Sequence, residues 1–194
     1  ISNTQTSIVY SIPISNNEKK NNIKKIIKEL FKNGYCVVEN VLKKKECELL
    51  VKNLENLKKK VSSNKNFIDE NSHNGQFIIR DLPLRNPKAF LGIIDIDLTL
   101  STIRNIFNET FILDNCQASS SINVKSNYKT LVHIDSHLPC KSNENTSDIV
   151  VCYCLNDFTK KNGATRIWPK SNLSGVRIQN DKNYEKKINK KYNY

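Results

Sequence analysis

The chain has 194 residues, enough for one domain with a sizeable core. Hydrophobic residues make up 38% and mean hydropathy is -0.55, polar but globular, with no run of about 18 apolar residues to cross a membrane. Lys and Arg number 31 against 19 Asp and Glu, a net +12, but the lysines are dispersed and no aromatics interleave with them. That pattern reads as a solvated surface, so neither a nucleic-acid nor a membrane partner is expected.

Residues 1–16 read as a polar arm, with an alternation from Ser7 to Pro13 that suits an edge strand. Residues 17–32 read as a helix, because Ile23, Ile26, Ile27, Leu30 and Phe31 form an apolar stripe at helical spacing and Gly34 follows as a stop. Gly34 to Leu42 reads as a strand. A second helix runs from about 44 to 61, with Cys47, Leu50, Val51, Leu54, Leu57 and Val61 on one side. Residues 62–76 are a Ser/Asn-rich loop holding His73, read as an exposed loop histidine. Phe77 to Leu82 suits a short strand, and 87–108 carries an apolar helical pattern.

From about 110 the pattern switches to strands: 111–113, 117–125, 130–135, 148–155 and 165–168, separated by turn residues. Helices first and antiparallel strands after predict a jelly roll with helices packed on one face. Six cysteines (36, 47, 116, 140, 152, 154) include no C-x-x-C pair, and Cys152 and Cys154 share one strand face. All six are expected to be reduced, in a cytoplasmic location.

Two of the three histidines fall in Leu131-Val132-His133-Ile134-Asp135-Ser136-His137. On a strand, His133 and Asp135 share a face, and an imidazole beside a carboxylate is a half-site for a metal such as non-haem Fe(II). His137 shares that face only if the strand continues, and Pro139 argues against it. Downstream comes Cys154-Leu155-Asn156-Asp157-Phe158-Thr159, then Asn162-Gly163-Ala164-Thr165, then Pro169-Lys170-Ser171-Asn172.

An H-x-D followed by this strand, a D-F-T turn, an N-G-A-T corner and P-x-S resembles the phytanoyl-CoA dioxygenase family of Fe(II)/2-oxoglutarate oxygenases. The opening helix, G-Y-x-V-V-x-x-V-L strand and second helix are similar to that family too. The resemblance covers about 34 to 172. It implies an α+β, mainly β, double-stranded β-helix (jelly roll, cupin-like) in a single domain. The arm is 1–16, the helical part 17–110, the jelly-roll strands 111–172 and the polar tail 173–194. It implies an oxidoreductase that uses Fe(II), 2-oxoglutarate and O2, with ascorbate as reductant, to hydroxylate a small-molecule substrate.

By the same resemblance His133 and Asp135 are metal ligands. Asn123 and Lys125, two apart on the preceding strand, are placed to hydrogen-bond 2-oxoglutarate, although an exposed polar face before Asn127 is the plain alternative. Thr165 is a further cofactor contact, and Trp168 belongs to the core or the pocket lining. Arg166, out of phase with Thr165, is expected to face outward. The chain departs from the family pattern where Lys170 and Asn172 replace a glycine and a histidine. No histidine follows His137 to serve as third ligand, and Arg177 comes too early to be the 2-oxoglutarate arginine. The expectation is therefore an incomplete barrel in a fragment or a decayed relative, weak in Fe(II) binding and inactive by itself. A jelly-roll binding protein without catalysis is the other reading. The sequence leaves substrate and oligomeric state open.

Overall fold

A computed structural model describes residues 11–12, 19–63, 76–108, 110–121, 133–135, 146–159 and 162–174, and the single residues 183, 186 and 190. The chain divides into two compact units. One comprises residues 1–41, 136–148 and 168–194; the other comprises 42–135 and 149–167.

In the first unit, strand β1 (Ser11–Ile12) pairs in parallel with β2 (Val37–Val38), and helix α1 (Lys19–Asn33) lies between them in sequence. The apolar stripe of α1 does what its spacing predicts: Ile23 and Ile26 are buried, while Lys20, Lys24, Lys25, Lys28 and Lys32 face solvent. Gly34 ends the helix at φ +78, its N–H donating to the Leu30 carbonyl at 2.8 Å, a left-handed cap that glycine adopts without strain. The Pro169–Asn172 motif meets this same helix end. Lys170 N–H donates to the Asn33 carbonyl at 2.7 Å, and a Cβ on Gly34 would lie 2.4 Å from Asn172 Oδ1. Lys170 itself has φ +67, so the glycine expected there by resemblance has a backbone reason, and the lysine carries strain in its place.

The second unit holds the core. Helix α2 (Lys44–Ser63) starts where Lys43 N–H donates to Glu46 Oε2 at 2.6 Å, half of a capping box. It turns Leu50 and Leu57 inward against Ile79, Leu82 and Phe90. Strand β3 (Gln76–Ile79) pairs antiparallel with β4 (Ala118–Ser121), Ile79 opposite Ala118. The expected strand at 77–82 stops early. Asp81 takes a left-handed conformation (φ 56), and helix α3 (Leu82–Arg85) begins, with Pro83 in its first turn. Leu82 N–H still reaches the Cys116 carbonyl at 3.1 Å.

The helical pattern at 87–108 is two helices, α4 (Pro87–Ile94) and α5 (Asp97–Phe107). Both halves are apolar enough for one helix, but Asp95 and Ile96 leave it. Ile96 then accepts the first bond of the new helix, from Leu100 N–H at 2.9 Å. Asn108, at φ 51, closes α5 by donating its backbone N–H to Arg104.

Among the described residues the jelly roll is not laid out as a ladder. Those residues are helix-rich, and the two sheets among them have two strands each. The expected strands at 111–113, 148–155 and 165–168 carry no ladder pairing, and His133 to Asp135 are not in a strand either. Alternating side chains give a strand a face, but only a hydrogen-bonded neighbour makes it a sheet. Residues 122–132 and 136–145, the expected neighbours in sequence, lie outside the described residues. No helix of the described residues is long and apolar enough to cross a membrane.

Candidate metal centre

The H-x-D segment brings its two chemical groups together although it is not a strand. His133 Nε2 lies 3.6 Å from Asp135 Oδ1, with the side chains 58% and 64% exposed. That separation suits two cis ligands on one ion, whose donors stand about 3–4 Å apart for bonds of about 2.1 Å. Asp135 is held below the usual carboxylate range. The first cause is the hydrogen-bonding interaction with His133, a long one at this distance; partial desolvation opposes it, and the charge of a protonated His133 adds to it. The Nε2 that meets Asp135 is also the nitrogen a metal would need. Proton and metal therefore compete for it.

The downstream motifs lie on the stretch from Ile149 to Ile167, in the same unit. From Cys152 to Leu155 burial alternates as on a strand: Cys152 and Cys154 are exposed, Tyr153 and Leu155 half-buried. Tyr153 Oη shares a hydrogen bond with Thr99 Oγ1 of α5 at 2.8 Å, and Leu155 packs on the core around Phe90. Burial pushes the Tyr153 hydroxyl up despite that bond. The Cys152 thiol is also pushed up, by desolvation first, then by its neighbours Cys154 and Asp135.

The D-F-T…N-G corner is tied locally. Asn162 Oδ1 accepts from Thr159 N–H at 2.7 Å, its Nδ2 donates to the Asp157 carbonyl, and Ala164 N–H reaches the Thr159 carbonyl at 3.0 Å. Gly163 supplies φ +90, the conformation its place after Asn162 demands.

Of the expected site residues, the structure brings His133 and Asp135 together. Thr165 and Arg166 are exposed, and Trp168 is half-buried. Asn123, Lys125 and His137 lie outside the described residues, as does His73. Among the described residues no group of three His, Cys, Asp or Glu side chains is close enough to hold a metal. Cys36, Cys47, Cys116, Cys152 and Cys154 are free thiols.

Compared with known proteins, residues 30–194 match the family model described as phytanoyl-CoA dioxygenase (PhyH). Neither the curated proteins nor the solved structures compared with the chain include a match.

Proposed function

Since the chain belongs to the phytanoyl-CoA dioxygenase family, we propose that it is an Fe(II)- and 2-oxoglutarate-dependent oxygenase acting on a small molecule, with His133 and Asp135 as two of its metal ligands. The family's oxygenase chemistry supports the reaction class, and its jelly-roll fold supports a barrel-borne site. The observation that carries the ligand assignment is the 3.6 Å approach of His133 Nε2 to Asp135 Oδ1. Those donors, imidazole nitrogen and carboxylate oxygen with open positions left over, fit ferrous iron.

When bound, Fe(II) with 2-oxoglutarate and O2 supplies the oxidising chemistry, with ascorbate keeping the iron reduced. The chain's own residues hold and orient. His133 would bind through an imidazole nitrogen that carries no proton. Asp135, a carboxylate that its neighbour holds below the ordinary range, would bring a negative charge that offsets the ion's. Asn123, Lys125 and Thr165 stand as 2-oxoglutarate contacts: an amide, an ammonium and a hydroxyl suit a dicarboxylate. The free thiols support a reducing, cytoplasmic setting.

The test is succinate release from 2-oxoglutarate by the natural protein carrying this sequence, with Fe(II), ascorbate and O2. His133→Ala and Asp135→Ala are each expected to abolish it. Turnover that survives both substitutions would show that the ligands are elsewhere.

A further inference from the structure

The lysines are dispersed along the sequence, but folding gathers five of them on one side of α1. Lys20, Lys24, Lys28 and Lys32 follow one another at four-residue spacing, and Lys25 lies beside them. At 3.6 residues per turn they fill an arc of about 140° and a length of about 18 Å, on the side away from buried Ile23 and Ile26. All five are exposed. The single acid of α1, Glu29, falls outside the arc, is half-buried, and accepts a hydrogen bond from Asn33 Nδ2 at 2.8 Å. Side chains four apart are neighbours on a helix, so the row sets like charges side by side and opposes its own helix. Helix α2 shows that a lysine-rich composition does not require this. Its exposed Lys44, Lys45, Lys52, Lys59 and Lys60 are interspersed with exposed Glu46, Glu48 and Glu55.

We propose that the lysine face of α1 is a docking surface for an acidic helical segment of another protein, with carboxylates repeated at four-residue spacing. The proposal does not depend on the metal reading. Lysine ammoniums are point charges on flexible stems, which suits a series of single carboxylates better than the bidentate grip a guanidinium gives one phosphate. The exposed side chains of the face include no aromatic on which bases could stack. The apolar side of α1 is turned into its own unit, with Ile23 and Ile26 buried, so it is not available to enter a lipid boundary. An acidic helix laid along α1 presents its carboxylates with the same period, and each one relieves repulsion between two lysines. Contacts of this kind set the rate of encounter and the choice of partner, and they weaken as salt rises.

The test uses the whole chain and a labelled synthetic helical peptide of about four turns with glutamate at every fourth position, followed by fluorescence anisotropy. The glutamate peptide is expected to bind, and its glutamine counterpart is not. Binding is expected to fall several-fold between about 50 and 200 mM salt. Lys24→Glu, Lys28→Glu and Lys32→Glu combined are expected to weaken it at least about tenfold, with helix content unchanged by circular dichroism. Lys45→Glu, Lys52→Glu and Lys59→Glu combined change the net charge equally from α2, and are expected to leave binding within about twofold. If the α1 reversal loses helix content, the neutral Lys24→Gln, Lys28→Gln and Lys32→Gln combination replaces it, with a several-fold loss expected. Equal losses from the α1 and α2 variants would show a general charge effect and overturn the proposal. So would a glutamate peptide that does not bind at low salt, or a glutamine peptide that binds as well. Vesicles of phosphatidylserine and phosphatidylcholine and a single-stranded DNA oligonucleotide are run alongside. A preference of about tenfold for either over the peptide, lost in the α1 variant, would overturn it in favour of a lipid or a nucleic-acid partner.

Discussion

The core around Phe90 and the segment around His133 belong to the same unit but are built differently. Phe90 is 1% exposed and packed among Leu50, Leu57, Ile79 and Leu82 from two helices and a strand. His133 and Asp135 are more than half exposed, and elsewhere in the same unit Val150 and Val151 are exposed too. The first arrangement is a device for stability, since burial of apolar surface is what holds a domain together. The second contributes little to stability and leaves chemical groups accessible. Substitutions in the two regions should therefore fail in different ways.

The largest expected effect is in the core. Phe90→Ala should cost about 3–5 kcal/mol, because the side chain is fully enclosed and its removal leaves a cavity. Urea unfolding followed by circular dichroism measures it, and a loss under about 1 kcal/mol would show that the helices are not packed as described.

Next comes the α1 cap of the first unit. Gly34→Ala combines a left-handed backbone with a Cβ pressed on Asn172 Oδ1, and should cost on the order of 2 kcal/mol. Lys170→Gly should work in the opposite direction, adding about 0.5–1 kcal/mol by relieving a left-handed lysine. If Lys170→Gly destabilises instead, the turn does not adopt that conformation.

The smallest effect lies at the pair and sharpens the contrast. His133→Ala should change stability by no more than about 0.5 kcal/mol, as expected for an exposed position. It should instead move a titration. The carboxyl of Asp135 is depressed by His133, so whatever stability the contact gives is present above the ordinary carboxylate range and fades as pH falls through the folded value. Removing His133 should raise the Asp135 titration towards normal, read by NMR of the side-chain carboxyl. An unmoved titration would mean that the two groups do not meet.

Periodic apolar stripes made the helices legible in the sequence. The spans 17–32 and 44–61 became Lys19–Asn33 and Lys44–Ser63, because a stripe that buries one face specifies both type and extent. The break at Asp95–Ile96 was not legible, since residues on both sides favour helix and only packing decides where one ends. Strands were the weaker reading: alternation identified faces, as at Cys152 to Leu155, but pairing depends on residues far away in sequence. His133 and Asp135 were legible because their residue types and spacing carry chemistry locally.

The central claim is that His133 and Asp135 bind ferrous iron together. Its most direct test is anaerobic titration of the chain with Fe(II) and 2-oxoglutarate, following the visible charge-transfer band of the chelate and raising pH from about 5.5 to 7.5. A band that strengthens as pH rises is expected, because proton and metal compete for an imidazole nitrogen. His133→Ala and Asp135→Ala are each expected to weaken the band at least about tenfold while the chain stays folded. A band of undiminished strength in both variants would contradict the account.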